Sequence, residues 1–388
     1  MRRQPAIAFI LVTVLIDVMG IGLLLPVIPA LVGEFTASRD AQTYWYGALM
    51  VTFGLAQFLC SPLLGALSDR YGRRPVLLAS ITGLGTMFFL SAIVTSLPAL
   101  LATRVLGGAL AANFSVANAY VADISTPEQR ARSFGRIGAA FGIGFIVGPA
   151  IGGTLGSIDI RLPFYAAAAL SLVNAVYGLL VLPESLPRER RKAIEWRKAN
   201  PFSSLAGLTR LKGVGALVVV IGLVTLAQFI LHGTWVLYTG FRFGWGPQEN
   251  GLSLFVVGLA SAVMQGLLLG WMLKRTGERQ LVMAGMVSGL FAYTCYGLAT
   301  QGWMMYAIIA SNLLAFAVAP SLNAIVSKAA DPRQQGLAMG SLSSLASLMA
   351  VIAPLLGAPL LAEVSHLPAG DWRIGAPFFL SAALQAAA

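Results

Sequence analysis

The chain has 388 residues and a formal net charge of +11, and it combines 57% hydrophobic with only 11% charged residues. Soluble domains carry about 25% charged residues, because water must solvate their surface. The composition therefore excludes a soluble globular protein, and two cysteines exclude a disulfide scaffold. Since there are also only two histidines, we expect no metal ion and no other cofactor. The composition predicts a polytopic membrane protein.

Twelve apolar runs follow one another along the chain, and each approaches the length of about 20 residues that a membrane-spanning helix needs. They lie at 6–31, 44–67, 75–94, 98–120, 133–156, 162–182, 213–238, 249–273, 280–299, 302–326, 335–361 and 373–388. We therefore predict an all-α membrane protein with twelve transmembrane helices in two six-helix bundles. The N-terminal bundle covers 1–182, a polar cytoplasmic linker covers 183–212, and the C-terminal bundle covers 213–388.

The basic residues are distributed unevenly over this topology. With the N-terminus in the cytoplasm, most lysines and arginines fall in cytoplasmic segments, as the positive-inside rule requires. The exceptions are Arg39, Arg161, Arg242 and Arg373 in outward loops, and Arg104 within the fourth span. The positive net charge thus indicates a membrane topology, and we expect membrane lipid but no nucleic acid as a partner.

The two predicted bundles repeat each other at a constant offset of 205 residues. Structure-forming residues recur at this spacing: Gly65 and Gly270, Gly135 and Gly340, Pro149 and Pro354. Parallel repeats of this kind are typical of transporters whose binding site lies near the bilayer midplane. The charged residues do not recur, since Asp17 corresponds to Gly222 and Arg104 to Ile309. We therefore expect the first bundle to carry the ion chemistry.

A charged loop motif follows the second span. It comprises Gly65, Asp69, Arg70, Gly72, Arg73 and Arg74. The carboxylate can accept charge-assisted hydrogen bonds and meet the positive end of a helix, while the glycines permit close packing and a tight turn. The pattern resembles the signature loop of the major facilitator superfamily, which implies a latch for the outward-facing state. The alternative is a plain positively charged inner loop.

The fifth span carries a face of small residues. Its members are Gly144, Gly148, Pro149, Gly152 and Gly153. Glycines four residues apart lie on one helix face and let another helix approach closely, while Pro149 is expected to bend the helix. The pattern resembles the antiporter motif of drug:proton exporters, and a tight helix contact is compatible with that interpretation.

Two charged residues, Asp17 and Arg104, lie well inside predicted spans of the first bundle. Asp17 is about 16 Å along the first helix, near the middle of the hydrocarbon core. Intramembrane carboxylates are costly and mark ion pathways or proton relays, so we expect Asp17 to bind a proton or the substrate. Arg104 is predicted to take part in proton coupling. Structural pairing is the alternative for both residues.

Several neutral polar or aromatic residues within the spans are candidates for substrate binding. They are Gln57, Asn113, Asn118, His232, Trp235 and Asn312. Core packing is the alternative for Gln57, and anchoring at the membrane interface is the alternative for Trp235. The chain has no phosphate-binding Walker sequence, so ATP-driven pumping is unsupported, and we expect a secondary transporter rather than an enzyme.

These motifs together resemble the tetracycline efflux family of proton antiporters. The resemblance rests on Asp17, Gln57, the loop motif, Arg104 and the fifth-span glycines, and it extends over nearly the whole chain. It implies proton-coupled drug efflux by alternating access, from a monomer in the bacterial inner membrane. The alternative is a major facilitator transporter of a metabolite, sugar or siderophore.

The sequence departs from that family at three positions. The family carries ionisable residues in its third, eighth and ninth spans, where this chain has Met87, Ser261 and Gly289. We therefore expect tetracycline itself to be a poor or secondary substrate, because a charged chelate would find fewer partners on desolvation.

Overall fold

The computed structural model of the chain describes residues 4–111, 113–125, 130–191, 215–329 and 335–388. Within these ranges the backbone is helical apart from short connections, and no strand occurs in them. Long apolar runs become helices in a membrane because a helix satisfies its backbone hydrogen bonds internally. Most of the predicted linker, residues 192–212, lies outside the described part of the chain.

The N-terminal half contains eight described α-helices. They are α1 Gln4–Leu24, α2 Ile28–Gly33, α3 Arg39–Tyr71, α4 Arg73–Ile93, α5 Leu97–Leu110, α6 Asn113–Ile124, α7 Arg130–Ile158 and α8 Leu162–Val181. Helix α1 packs extensively against α7 and α8, and α4 packs against α8. One side of α1 thus packs against these neighbours, and the midspan residue Asp17 is buried among the helices.

The C-terminal half contains seven described α-helices. They are α9 Gly215–Phe243, α10 Pro247–Val263, α11 Leu269–Leu298, α12 Gly302–Ser311, α13 Val318–Ala329, α14 Gln335–Val364 and α15 Ala376–Ala387. A π-helical turn, Met264–Leu268, joins α10 to α11, and a 3-10 turn, Leu313–Ala317, joins α12 to α13. Helix α9 packs against α14 and α15, which also contact each other.

The chain divides into two compact units. The first comprises Met1–Leu31 and Thr52–Pro201, and the second comprises Val32–Val51 and Phe202–Ala388. The first part of α3 therefore belongs to the second unit, where the Tyr44 hydroxyl lies 3.5 Å from a carboxylate oxygen of Glu363.

Helix length and hydropathy agree with the predicted membrane-spanning class. In the described residues nine helices are long and apolar enough to cross a membrane, or ten if the pair bent by 53° at Asn312 is one span. The segment Pro247–Leu298 is 52 residues long and covers the two predicted spans 249–273 and 280–299. The prediction of an all-α membrane protein is confirmed.

The turn glycines of the sequence repeat adopt the same type of conformation. Gly72 has φ +107° and Gly277, 205 residues further on, has φ +77°. Both lie in the left-handed region that a Cβ disfavours, so a glycine is needed at each position. The tight turn that was predicted at Gly72 is confirmed and recurs in the second unit.

Arginines cap the ends of equivalent helices in the two units, next to loops that were predicted to face outward. In the first unit, Arg161 donates to the carbonyl oxygen of Val94 at 3.0 Å. In the second, Arg242 is 6% exposed and donates to Ala299 at 3.0 Å, to Ala369 at 2.6 Å and to Asp371 at 2.7 Å, always at the backbone carbonyl. Because a helix leaves its last carbonyls without partners, these guanidinium groups satisfy exposed helix ends.

We predict that Arg242→Met destabilises the protein, because three carbonyl oxygens lose a charged donor. Each such hydrogen bond contributes about 1.5–3 kcal/mol, so the apparent melting temperature of the purified protein in detergent should fall by several degrees. Arg373→Met is the matched control. The Arg373 side chain is 57% exposed and pairs only locally with Asp371, whose pKa its hydrogen bonds lower to about 2. Water screens an exposed pair, so it contributes little to stability. Equal losses in both variants would contradict the stabilising role of the three Arg242 hydrogen bonds.

Candidate functional site

Helices α1 and α7 meet at backbone distance through the glycine face of the fifth span. A Cβ added to Gly144 would lie 2.9 Å from the carbonyl oxygen of Leu15, and one added to Gly148 would lie 2.8 Å from that of Met19. Gly152 likewise faces Leu23. The glycine face therefore makes the predicted tight helix contact. Its role as an antiporter motif, including Pro149 and Gly153, stays a prediction.

Asp17 lies in α1 close to this contact and is 8% exposed. Its neighbours along the helix, Leu15 and Met19, face the glycines of α7. Asp17 is two places from both residues, and two places correspond to a turn of about 200°, so its side chain points away from α7. Asp17 is thus directed toward the interior of the first unit, as a midspan carboxylate with an ion-handling role requires.

Arg104 and Gln57 are held by local contacts in the same unit. Arg104 is 4% exposed, donates to the Ser91 hydroxyl at 3.1 Å and lies 5.8 Å from the ring centre of Phe53. The Gln57 amide nitrogen donates to the carbonyl oxygen of Ala111 at 3.3 Å. These contacts tie α3, α4 and α5 together, so both side chains have structural partners besides any role in transport.

The charged loop motif folds around Arg73, which is 8% exposed. Its guanidinium contacts the carboxylates of Asp69 at 2.6 Å and Asp123 at 3.0 Å, and it donates to the Ser68 hydroxyl at 2.6 Å. The loop between α3 and α4 is thereby joined to the end of α6. Arg70 instead stacks on its neighbour Tyr71, with its guanidinium 5.2 Å from the ring centre.

Glu184 completes this network from the segment after α8. Its carboxylate accepts the backbone N–H of Arg73 at 2.9 Å and that of Arg74 at 3.3 Å. A carboxylate at a helix N-terminus satisfies unpaired N–H groups and opposes the positive end of the helix dipole. Neither Glu184 nor the pairing of Asp123 was predicted from the sequence, because both side chains contact residues at least 50 positions away in the chain.

The two glycines of the loop motif, Gly65 and Gly72, differ in how much space surrounds the position of an added Cβ atom. A Cβ added to Gly65 would meet no heavy atom of the described residues within 4 Å, so the close packing expected there is not observed in them. A Cβ added to Gly72 would collide with the carboxylate of Glu184.

The second unit contains a cavity of about 320 Å³. It brings together three predicted substrate-binding residues, His232, Trp235 and Asn312. Its lining also includes polar and aromatic residues that sequence analysis overlooked: Gln228, Gln265, Tyr293, Tyr296 and Gln385. Gln57 and Asn118 lie in the first unit instead, and the side chain of Asn113 lies outside the described part.

Irregular backbone builds the wall of this cavity. Helix α12 ends at Ser311, and the 3-10 turn Leu313–Ala317 follows the capping residue Asn312. The π-helical turn contains Gln265, whose amide nitrogen donates to the Ser261 hydroxyl at 2.7 Å. Broken helices at membrane depth are tolerated where they line a cavity, and π-turns often mark functional sites.

The cavity lining combines apolar and polar side chains and carries no formal charge. Among its described lining residues there is no aspartate, glutamate, lysine or arginine. Asn312 accepts a hydrogen bond from Ser288 at 2.8 Å, and the Trp235 indole donates to Ser253 at 3.0 Å while its ring packs edge-on against Tyr296 at 5.2 Å. These bonds fix amide and ring orientations, so the cavity suits an uncharged ligand that combines flat apolar faces with hydrogen-bonding edges.

Comparison with known proteins agrees with the helical architecture. A family model described as Major Facilitator Superfamily matches residues 10–383. Tetracycline resistance protein, class C, from Escherichia coli is 39% identical over 98% of this chain and 96% of its own length. The class D protein from Salmonella ordonez is 34% identical over 97% of this chain and 95% of its own length. The crystal structure of the human organic anion transporter MFSD10 has a TM-score of 0.69 at 26% identity, covering 99% of this chain and all of that one.

The geometry of the loop motif predicts unequal effects of alanine at its two glycines. Gly72→Ala should displace the start of α4, because the left-handed backbone is strained and the new methyl group meets Glu184. We expect the free energy of unfolding to fall by about 1–3 kcal/mol. The measurements are the melting temperature, which should fall, and the transport rate, which should decrease. Gly65→Ala should be neutral, or stabilising by up to about 1 kcal/mol, because alanine favours a helix. A similar loss in both variants would contradict the Glu184 cap.

Proposed function

The chain belongs to the Major Facilitator Superfamily, and we propose that it exports a small amphiphilic drug in exchange for protons. It is a membrane transporter of the tetracycline-efflux type and not an enzyme. The observation that carries the proposal is the similarity to tetracycline resistance proteins over nearly the entire chain. The midspan carboxylate of Asp17 and the uncharged cavity of the second unit supply the two kinds of site that such an exchange needs.

In this mechanism, alternating access exposes the binding sites to one side of the membrane at a time. A proton arriving from outside neutralises Asp17, which lowers the cost of keeping that side chain inside the bundle. Drug leaves on the outer side, and the proton is released on the inner side. The membrane potential contributes about 2.3 kcal/mol per charge per 100 mV to the inward movement of the proton.

The loop motif acts in this proposal as a conformational latch. Asp69, Arg73 and Asp123 form linked ion pairs at the predicted inner end of the helices, and Glu184 anchors the same loop. A network that joins several helix ends can stabilise one conformational state more than another, because its ion pairs must break when the helices separate. Arg104, a buried guanidinium within the fourth span, assists coupling in this proposal.

The uncharged lining indicates the class of substrate. Amide side chains offer both donors and acceptors, and Trp235, Tyr293 and Tyr296 offer ring surfaces. We propose a neutral or weakly basic amphiphile as the preferred cargo. Tetracycline is then a secondary substrate, since Ser261 and Gly289 supply no charge to a chelate. A growth-inhibition panel in a host that lacks its own pumps, with and without this chain, identifies the preferred compound.

The proposal places the protein in a bacterial inner membrane as a multi-pass monomer with a cytoplasmic N-terminus. The positive charges of the predicted inner loops support this orientation. Lipid surrounds the helices, and protons and the small-molecule substrate are the other partners.

We predict that Asp17→Asn abolishes proton-coupled drug accumulation in energised inverted vesicles while the protein still reaches the membrane. Asparagine has nearly the same size as aspartate but cannot carry a proton, so the coupling step is lost. Asp159→Asn is the matched control, because Asp159 is exposed in the loop after α7. If the Asp17 variant still moves the panel compound against its gradient, Asp17 is not the proton carrier.

A further inference from the structure

The first unit contains a cavity of about 410 Å³ at the predicted inner end of its helices. This volume lies within the range of about 300–1,000 Å³ that is typical of small-molecule sites. The start of α4 and the segment after α8 supply the residues of its wall. The charged members of its described lining are three arginines, Arg74, Arg188 and Arg191, and one carboxylate, Glu184. Three guanidinium groups against one carboxylate leave an excess of positive charge in the cavity.

The carboxylate of Glu184 is already fully engaged by the backbone. One of its oxygens accepts the N–H groups of Arg73 at 2.9 Å, Ser185 at 3.0 Å and Leu186 at 3.0 Å. The other oxygen accepts the N–H of Arg74 at 3.3 Å. A carboxylate offers about four lone-pair sites, and four backbone donors occupy them. Glu184 therefore cannot also serve as the hydrogen-bond acceptor of the arginines.

The three arginines accordingly lack a hydrogen-bonded anion among the described residues. A terminal nitrogen of Arg191 lies 3.8 Å from Glu184, beyond hydrogen-bond distance. Arg74 donates to the carbonyl oxygen of Leu179 at 2.5 Å, which is a neutral acceptor. The Nε atoms of Arg74 and Arg191 are buried and have no partner in the described part of the chain. The same part provides neither an ion pair nor a side-chain hydrogen bond for Arg188.

The chemistry of these groups favours an anion with several oxygen atoms. A buried donor without a partner costs free energy, and buried unpaired donors in a native structure call for an explanation. The planar guanidinium group presents its N–H donors in a fork that matches the oxygens of a phosphate. A phosphate group between these side chains would neutralise the excess charge and accept from donors that Glu184 cannot serve.

The place of the cavity in the fold indicates where such a phosphate comes from. Helix α8 ends at Val181 and α4 begins at Arg73, so the cavity lies where two predicted spans leave the hydrocarbon core. In the last turn of α8, Leu179 is 59% exposed and Leu180 is 78% exposed. Exposed leucines on a spanning helix offer apolar surface to acyl chains, and basic pockets on the cytoplasmic side bind lipid headgroups.

We propose that Arg74, Arg188 and Arg191 bind the phosphate group of an anionic phospholipid whose acyl chains lie along the end of α8. A soluble phosphate compound carries the same acceptor oxygens, so the two sources have to be distinguished by experiment. The site lies in the first unit, whereas the proposed drug cavity lies in the second. The proposal therefore does not depend on which compound is exported.

Lipid titration of the purified full chain in neutral detergent tests the proposal. The probes are phosphatidylglycerol, which is anionic, and phosphatidylcholine with the same acyl chains, which has no net charge. Native mass spectrometry measures how much lipid is bound. The wild-type chain should bind phosphatidylglycerol more tightly. Arg188→Gln and Arg191→Gln should each weaken this binding about five-fold, the effect of one basic residue at an anionic headgroup, and leave phosphatidylcholine binding unchanged.

Arg190→Gln is the matched control. Arg190 belongs to the same 3-10 turn as Arg188 and is exposed, but it does not line the cavity. The substitution removes the same charge, and at about 0.15 M salt charges more than about 8 Å apart are largely screened. The affinity for phosphatidylglycerol should therefore stay as in the wild type. If Arg191→Gln does not reach the membrane, the exposed Arg188 decides the outcome.

A loss of phosphatidylglycerol affinity in the two cavity variants, with the control unchanged, supports the proposal. An equal loss in Arg190→Gln overturns it, because the attraction would then belong to the surface as a whole. Equal affinity of the wild type for both lipids also overturns it. Inorganic phosphate is the last probe. If its binding depends on Arg188 while that of phosphatidylglycerol does not, the lipid is wrong as the source of the phosphate. None of these outcomes affects the proposed drug export, which the growth panel tests.

Discussion

The structure depends on the cost of placing charged and polar groups in a hydrocarbon core. Water is absent there, so each such group must be satisfied by the protein or be absent. A related constraint acts at helix ends, whose last backbone groups lack partners within the helix. There Arg242 binds three backbone carbonyls, and Glu184 covers the N–H groups at the start of α4. The cost of burying a charge also identifies Asp17 as a functional candidate, since carboxylates buried at midspan mark ion pathways and proton relays.

The two units share a backbone plan but differ in charge chemistry. Gly72 and Gly277 make equivalent left-handed turns. The residue after each turn forms an ion pair with the end of a later helix, Arg73 with Asp123 at 3.0 Å and Glu278 with Lys328 at 2.6 Å. Arg73 and Glu278 are 205 residues apart, and so are Asp123 and Lys328. The two ion pairs therefore occupy equivalent positions of the repeat, with the positive and negative partners exchanged. The repeat therefore preserves a contact between helix ends while the sign of each partner remains free to change.

The sequence predicted the helical membrane class, the repeat and the tight turn at Gly72, because hydropathy, spacing and glycine chemistry are local properties. It also identified His232, Trp235 and Asn312, which share the cavity of the second unit. It did not identify Gln385 or the Glu184 cap. Gln385 is a single amide in an apolar run, and Glu184 contacts residues more than a hundred positions away, so only the packing of helices shows what either side chain meets.

The distribution of chemistry also constrains how exchange can operate. Asp17 is buried in the first unit, whereas the cavity is lined by residues of the second. A drug in the cavity then has no need to compete with the proton for one side chain. Coupling in the proposed mechanism instead comes from conformation, because protonation changes the cost of enclosing Asp17 while the ligand stabilises a particular arrangement of its own unit. A cargo without charge is compatible with this arrangement, because the proton alone carries charge through the cycle.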